Sequence, residues 1–174
     1  MFKNLNMLKL FFEEPNREFN VREVARILKI PPATASKRLR EMKKEGLLKE
    51  RQEKMLILFR ANLEEEPYRE LKFFYNMKKL RESGLIDALN KFYLKPTIVL
   101  FGSAAHGLDT ETSDFDLLII SEKKKDFPNM KDFQKKLNRD LQLFVVREMN
   151  ELGNEKLINS IMNGIVIQGE IKWI

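Results

Sequence analysis

Cysteine is absent from the 174-residue chain, so disulfides and thiolate metal sites are excluded, a composition that fits a cytoplasmic protein. No apolar run approaches the ~20 residues that a membrane-spanning helix requires. The N-terminus lacks the unbroken apolar segment and cleavage site of a secretory leader, so none is expected. Histidine occurs once, as His106, and a lone histidine on a polar loop is assigned no role. Internal repeats and low-complexity tracts are also missing.

What is present is a foldable chain with 43% hydrophobic and 33% charged residues, long enough for one domain or two small ones. Its charge is unevenly placed. Residues 1–62 hold 15 Lys and Arg against 8 Asp and Glu, net +7, and residues 63–174 hold 17 against 18, net −1. All the excess positive charge lies in the first third, which suggests that this part meets a polyanion.

The first third reads as three helices and a hairpin. Phe2, Leu5, Leu8, Phe11 and Phe12 recur at helical spacing. Asn20 and Glu23 form an Asn-x-x-Glu cap opening a second helix, whose apolar face is Val21, Val24, Ala25 and Leu28. Ile30-Pro31-Pro32 predicts a tight turn into a third helix, and Gly46 ends that helix. Its inward stripe is Ala35, Leu39 and Met42; its outward stripe is Ala33, Lys37, Arg40 and Lys44. Leu47 to Glu50 and Met55 to Phe59 predict a hairpin around Arg51-Gln52-Glu53-Lys54.

Residues 63–96 read as a helical connector. Glu64-Glu65-Glu66-Pro67 places acid and proline where a helix starts. Leu71, Phe74, Tyr75, Met77 and Leu80, then Leu85, Ile86, Leu89, Phe92 and Tyr93, give two helices with a wide apolar arc. That surface has to be covered either by its own chain or by a second copy.

From Thr97 the pattern changes to strand, loop, strand (Asp114 to Ile120), helix (Met130 to Leu137), strand (Leu141 to Val146) and helix (Glu155 to Met162). A closing strand pair is expected at Ile165 to Ile167 and Glu170 to Trp173. The densest chemistry lies between the first two strands. The run Thr97 to Phe101 stops at Gly102-Ser103, and the next strand opens with Asp114-Phe115-Asp116. Side chains alternate faces along a strand, so Asp114 and Asp116 point the same way. Two such carboxylates repel unless a cation lies between them, and all-oxygen ligation suits Mg²⁺. Gly102 lets backbone N–H groups approach an anion, and Ser103 adds a hydroxyl; a helix starting at Ser103 would aim its N-terminus at the same anion.

The string Phe101-Gly102-Ser103, ten residues from Ala104 to Ser113, then Asp114-Phe115-Asp116-Leu117 resembles the minimal nucleotidyltransferases of the DNA polymerase beta superfamily. The resemblance implies a mixed sheet with flanking helices over residues 97–174. It implies a nucleoside triphosphate held by Gly102, Ser103 and Ser113, and Mg²⁺ or Mn²⁺ on Asp114 and Asp116. His106 stands where minimal members often carry arginine. The family's third acidic residue falls, by its apolar flanks, on Gln142 in Arg139-Asp140-Leu141-Gln142-Leu143-Phe144-Val145. An amide carries no charge for a second metal. Asp140, two residues earlier, is the alternative third carboxylate, with Arg139 beside it as a surface partner.

Residues 1–62, with the phrase TASKRLREMKKEGLLKE, resemble the winged helix-turn-helix domain of prokaryotic transcription regulators. The resemblance implies double-stranded DNA as partner, with Thr34, Ser36, Lys37, Arg38, Arg40 and Lys44 near bases or phosphates. Arg51 and Lys54 would reach the backbone or minor groove. Such regulators are commonly dimers, which points to a homodimer along residues 63–96, and some bind protein instead of DNA. The expected architecture is therefore α/β (α+β): DNA-binding module 1–62, connector 63–96, nucleotidyltransferase-like domain 97–174. Two functions stay open. One is a DNA-binding regulator that binds nucleotide with impaired chemistry. The other is an active nucleotidyltransferase acting on a protein, RNA or small molecule.

Overall fold

The structure is a computed structural model that describes residues 5–172. The chain divides into two compact units, Met1–Lys72 and Phe73–Ile174. Phe2 and Trp173, expected in the first helix and the last strand, lie outside the described residues. Among the described residues no helix is long and apolar enough to cross a membrane.

The first unit contains α1 (Leu5–Glu13), β1 (Phe19–Asn20), α2 (Val21–Leu28), α3 (Pro32–Lys44), β2 (Leu48–Glu53) and β3 (Leu56–Ala61), followed by the start of α4 (Glu66–Glu82). Asn20 caps α2 as its sequence predicts, its Oδ1 accepting from the Glu23 N–H at 2.9 Å. The Glu23 carboxylate does not close the reciprocal half of the box; it pairs with Arg17 at 2.5 Å. Lys29, left-handed at φ 53°, ends α2, and Pro32 opens α3 in its first turn. On α3, Ala35, Leu39 and Met42 are buried while Lys37, Arg40 and Lys44 face solvent, because four-then-three spacing separates the two stripes on a helix.

The hairpin differs from expectation. Its strands run on through Glu53 and resume at Leu56, leaving only Lys54-Met55 as the turn. Lys54 takes a positive φ of 53° there, a conformation more usual for Gly or Asn, so the turn carried no local signal. β1, β3 and β2 form a three-stranded antiparallel sheet in that order. Two residues of α4 close the end of α1: the Tyr68 hydroxyl donates to the Phe11 carbonyl at 2.8 Å and the Lys72 ammonium donates to that of Phe12. A cation at the C-terminus of α1 suits the partial negative charge of its last carbonyls.

The second unit contains the rest of α4, α5 (Leu85–Tyr93), β4 (Thr97–Phe101), β5 (Phe115–Ile120), α6 (Met130–Leu137), β6 (Leu141–Val146), α7 (Glu155–Met162) and β7 (Ile165–Gln168). Its sheet order is β6-β5-β4-β7, with β5 and β6 parallel and the other pairs antiparallel. β7 is not half of a terminal hairpin. It lies antiparallel to β4, with Val166 opposite Val99, so its partner is some 70 residues back rather than next in sequence.

Each sheet face has its own core. Ile98, Leu100, Leu117, Ile119 and Leu141 pack with Leu80, Leu85, Leu89, Tyr93, Phe133 and Leu137. On the other face Val99, Phe101, Leu118 and Val146 pack with Met149, Leu152 and Ile161. The apolar arc of residues 63–96 is thus largely covered within the chain, although Phe74 remains 66% exposed. Leu118 lies in the central strand with no exposure. We expect Leu118→Ala to destabilise the protein by about 2–5 kcal/mol through the cavity it leaves, read by denaturant unfolding; a loss under about 1 kcal/mol would mean that this face is not the packed one.

Candidate nucleotide and metal site

The alternation of β5 and β6 places Asp116 and Gln142 on one face of the sheet. Asp116 is two residues from Leu118, and Gln142 two residues from Phe144, so both sit in the row that continues the Val99–Leu118–Val146 core toward one end of the sheet. Antiparallel pairing puts Phe101 opposite Asp116, and parallel pairing puts Gln142 beside it. Gly102, the residue after β4, therefore arrives directly against the Asp116 carboxylate.

Gly102 is required there twice over. Its backbone stands at φ 70°, ψ −159°, a region that only glycine adopts readily. A Cβ at this position would lie 2.4 Å from Asp116 Oδ2. The segment after Gly102 is shorter than a regular helix: Ser103–His106 is a single 3-10 turn closed by Gly107 at φ 64°. Its dipole is correspondingly small, and the anion-binding capacity of this segment rests on the bare backbone at Gly102 and the Ser103 N–H and hydroxyl.

The two aspartates are not equivalent. Asp116 is half-buried, and burial first, then the neighbouring Asp114 charge, pushes its carboxyl above the usual carboxylate range. Asp114, also half-buried, accepts a hydrogen bond at 2.5 Å from the Gln142 amide. Asp140 lies elsewhere. Its backbone carbonyl accepts from the Phe115 N–H at 2.9 Å, and its carboxylate accepts from Gln134 of α6 at 3.2 Å. Ser113 is engaged within the loop itself. Its hydroxyl accepts from the Thr110 N–H at 2.9 Å and lies 3.2 Å from the Thr110 hydroxyl, closing the turn before Asp114.

Two residues of this region, Asn76 and Asp109, were not singled out in the sequence, and a third, Arg139, was read only as a partner of Asp140. Asn76, Asp109 and Arg139 are buried, with 1%, 2% and 8% exposure. Arg139 is not a surface partner of Asp140; its guanidinium lies 3.9 Å from the Asp109 carboxylate. The signal available was only an aspartate in the ten-residue loop and an arginine before β6, residues whose pairing no local spacing encodes.

The donor set fits one hard divalent cation. Asp114, just before β5, and Asp116, within it, bring two oxygen-only carboxylates within electrostatic reach of each other, and Mg²⁺ is commonly held by one or two carboxylates with phosphate oxygens and water completing its shell. Among the described residues no group of three or more acidic, His or Cys side chains converges, so an all-protein cage is not formed. Gln142 fits a second cation poorly, since its amide nitrogen faces Asp114.

The other expected contacts lie in the first unit. Thr34, Ser36 and Arg38 are half-buried on α3, whereas Lys37, Arg40 and Lys44 are exposed. Arg51 is exposed yet engaged, pairing with Glu18 at 2.6 Å and Glu53 at 2.7 Å. Lys54 occupies the hairpin turn beside Met55, which is 98% exposed.

In the absence of a divalent cation, Asp116→Asn should raise the thermal midpoint at neutral pH. It removes a carboxylate whose ionisation is opposed by burial and by Asp114. Because the folded-state carboxyl is raised, the wild type loses stability as pH rises through its titration, so the gap should close in acid. A wild type at least as stable as the variant at pH 7 would contradict this electrostatic picture.

No curated protein matches the chain. Residues 82–167 do match the family model of the nucleotidyltransferase domain, a span that runs from the end of α4 through Gly102-Ser103 and Asp114-x-Asp116 to β7, and the helices and mixed sheet of this half of the chain agree with that fold.

Proposed function

We propose that the protein is a DNA-binding regulator whose nucleotidyltransferase domain binds a nucleoside triphosphate with one Mg²⁺ or Mn²⁺ and transfers it slowly or not at all. The observation that carries the reading is the Gln142 amide on Asp114. Gly102 and Ser103 receive the phosphates, and Asp114 and Asp116 hold the cation that accompanies them. When bound, the cation neutralises the phosphate charge and polarises the phosphorus centre. In-line transfer also needs a group to position and deprotonate the acceptor hydroxyl, usually with a second cation. An amide at position 142 supplies neither a negative charge nor a base.

The regulatory half of the reading rests on the first unit, taken as a winged helix-turn-helix. The net charge of residues 1–62 and the exposed row Lys37, Arg40 and Lys44 on α3 suit contact with a phosphate backbone. Arg51, already neutralised by Glu18 and Glu53, contributes less than Lys54. Phe74, the exposed aromatic of α4, and Leu94 are the apolar residues of 63–96 that could meet a second copy or another protein. An active transferase is the second reading; the match to the transferase family and the Gly102–Asp116 geometry favour it.

Calorimetry of the full chain with ATP and Mg²⁺ should show binding that Asp114→Asn abolishes, with little nucleotide transferred in the presence of lysate proteins and RNA. Gln142→Glu should add affinity for a second Mn²⁺ and raise any transfer. Robust wild-type transfer would favour the active enzyme, and binding unchanged by Asp114→Asn would place the nucleotide elsewhere.

For DNA, the Lys37→Ala, Arg40→Ala double variant of the full chain should bind duplex about tenfold or more weakly at low salt, with the log–log salt slope reduced by about two. Equal affinity and slope in the variant would remove α3 from the interface.

A further inference from the structure

We infer that Asn76, Asp109 and Arg139 act together as positioning residues, a buried polar latch that sets the phosphate-binding turn at Ser103 in register with the Asp114–Asp116 strand and with Gln142. The inference rests on the reading of Gly102–Asp116 as the triphosphate site, and it concerns how that site keeps its shape.

Each bond of the latch ends beside a residue of the site. The Asn76 amide donates to the Asp109 carboxylate at 2.6 Å and to the Ala104 carbonyl at 3.1 Å, and Ala104 follows Ser103. The Arg139 guanidinium faces the Asp109 carboxylate at 3.9 Å and donates to the Ser113 carbonyl at 3.4 Å; Ser113 precedes Asp114. Arg139 itself stands three residues before Gln142, at the entry to β6. One buried carboxylate thus links a helix, both ends of the ten-residue loop and the strand carrying the third site position.

Chemistry suggests why the loop is held this way. Apart from the short turn at Ser103–His106, residues 102–114 have no regular structure of their own, and hydrogen bonds from helix or sheet do not fix them. Buried polar groups must be paired, and a fully paired network specifies one arrangement, whereas apolar packing tolerates several. Asp109 and Arg139 compensate each other's charge, and the Asn76 amide offers two donors, to a carboxylate and a carbonyl, without adding a charge. Because the ligand's phosphates and its cation are held by opposite ends of the loop, a change in loop shape affects their joint binding more than that of the cation alone.

The test uses the full chain and the variant Asn76→Ala, which removes two hydrogen bonds without stranding a charge. Titration with Mg²⁺ and ATP should show about tenfold weaker binding, the size expected for a lost hydrogen bond to a charged group. Mn²⁺ alone should bind within about twofold of wild type, and amide hydrogen exchange should quicken over residues 103–113. If Asn76→Ala does not fold, the charge-neutral pair Asp109→Asn, Arg139→Gln takes its place with the same expectations. Unchanged ATP affinity with unchanged loop exchange overturns the latch. So does an equal loss for Mn²⁺ alone, which marks a general loosening of the domain. If the wild type takes up Mn²⁺ but no triphosphate, the nucleotide reading of the site fails, and loop exchange then decides the latch by itself: faster exchange supports it and unchanged exchange overturns it.

Discussion

The contact between the backbone of Gly102 and the carboxylate of Asp116 is the constraint on which the rest of the C-terminal unit depends. It exists because β4 and β5 pair antiparallel with Phe101 opposite Asp116, so the chain leaving one strand must pass over the first charged residue of the other. Any side chain at Gly102 would displace that carboxylate. The apolar rows behind it, Val99 and Leu118 on one face and Leu100 and Leu117 on the other, hold the two strands in this register. A slip of one residue would turn Asp116 into the opposite core and put Leu117 where Asp116 now stands. Burial of the sheet and placement of the site are the same requirement.

The two carboxylates also differ in their surroundings. Asp116 is disfavoured as an anion by burial and by Asp114, while Asp114 accepts a hydrogen bond from the Gln142 amide. A third carboxylate at position 142 would add repulsion in the absence of metal, whereas glutamine removes some. The amide therefore lowers the repulsion among these side chains where a third carboxylate would raise it.

Much of this was legible in the sequence, and particular residues explain where reading stopped. Gly102-Ser103 and Asp114-x-Asp116 could be placed because strand periodicity and a fixed gap are local properties. The cap at Asn20 and the proline start of α3 are local as well. Asp109 and Arg139 are 30 positions apart and Asn76 lies 33 before Asp109; their pairing is a product of the folded sheet, and Arg139 next to Asp140 offered a nearer but wrong partner. The choice of β4 by β7 is similarly non-local. At the hairpin the obstacle was different: Lys54 occupies a left-handed turn position that lysine seldom marks.

The end of α1 has a practical consequence for anyone dividing the chain. The charge boundary near residue 62 invites a cut there, yet the donors that satisfy the Phe11 and Phe12 carbonyls, Tyr68 and Lys72, lie beyond it. A fragment stopping at 62 would expose Phe12 where the Tyr68 ring now packs, with centroids 5.5 Å apart, and leave the last turn of its first helix open to water. The shortest N-terminal piece that carries its own helix stop ends after Lys72, so a protease that nicks the segment between β3 and α4 would loosen α1 before touching any residue of α3.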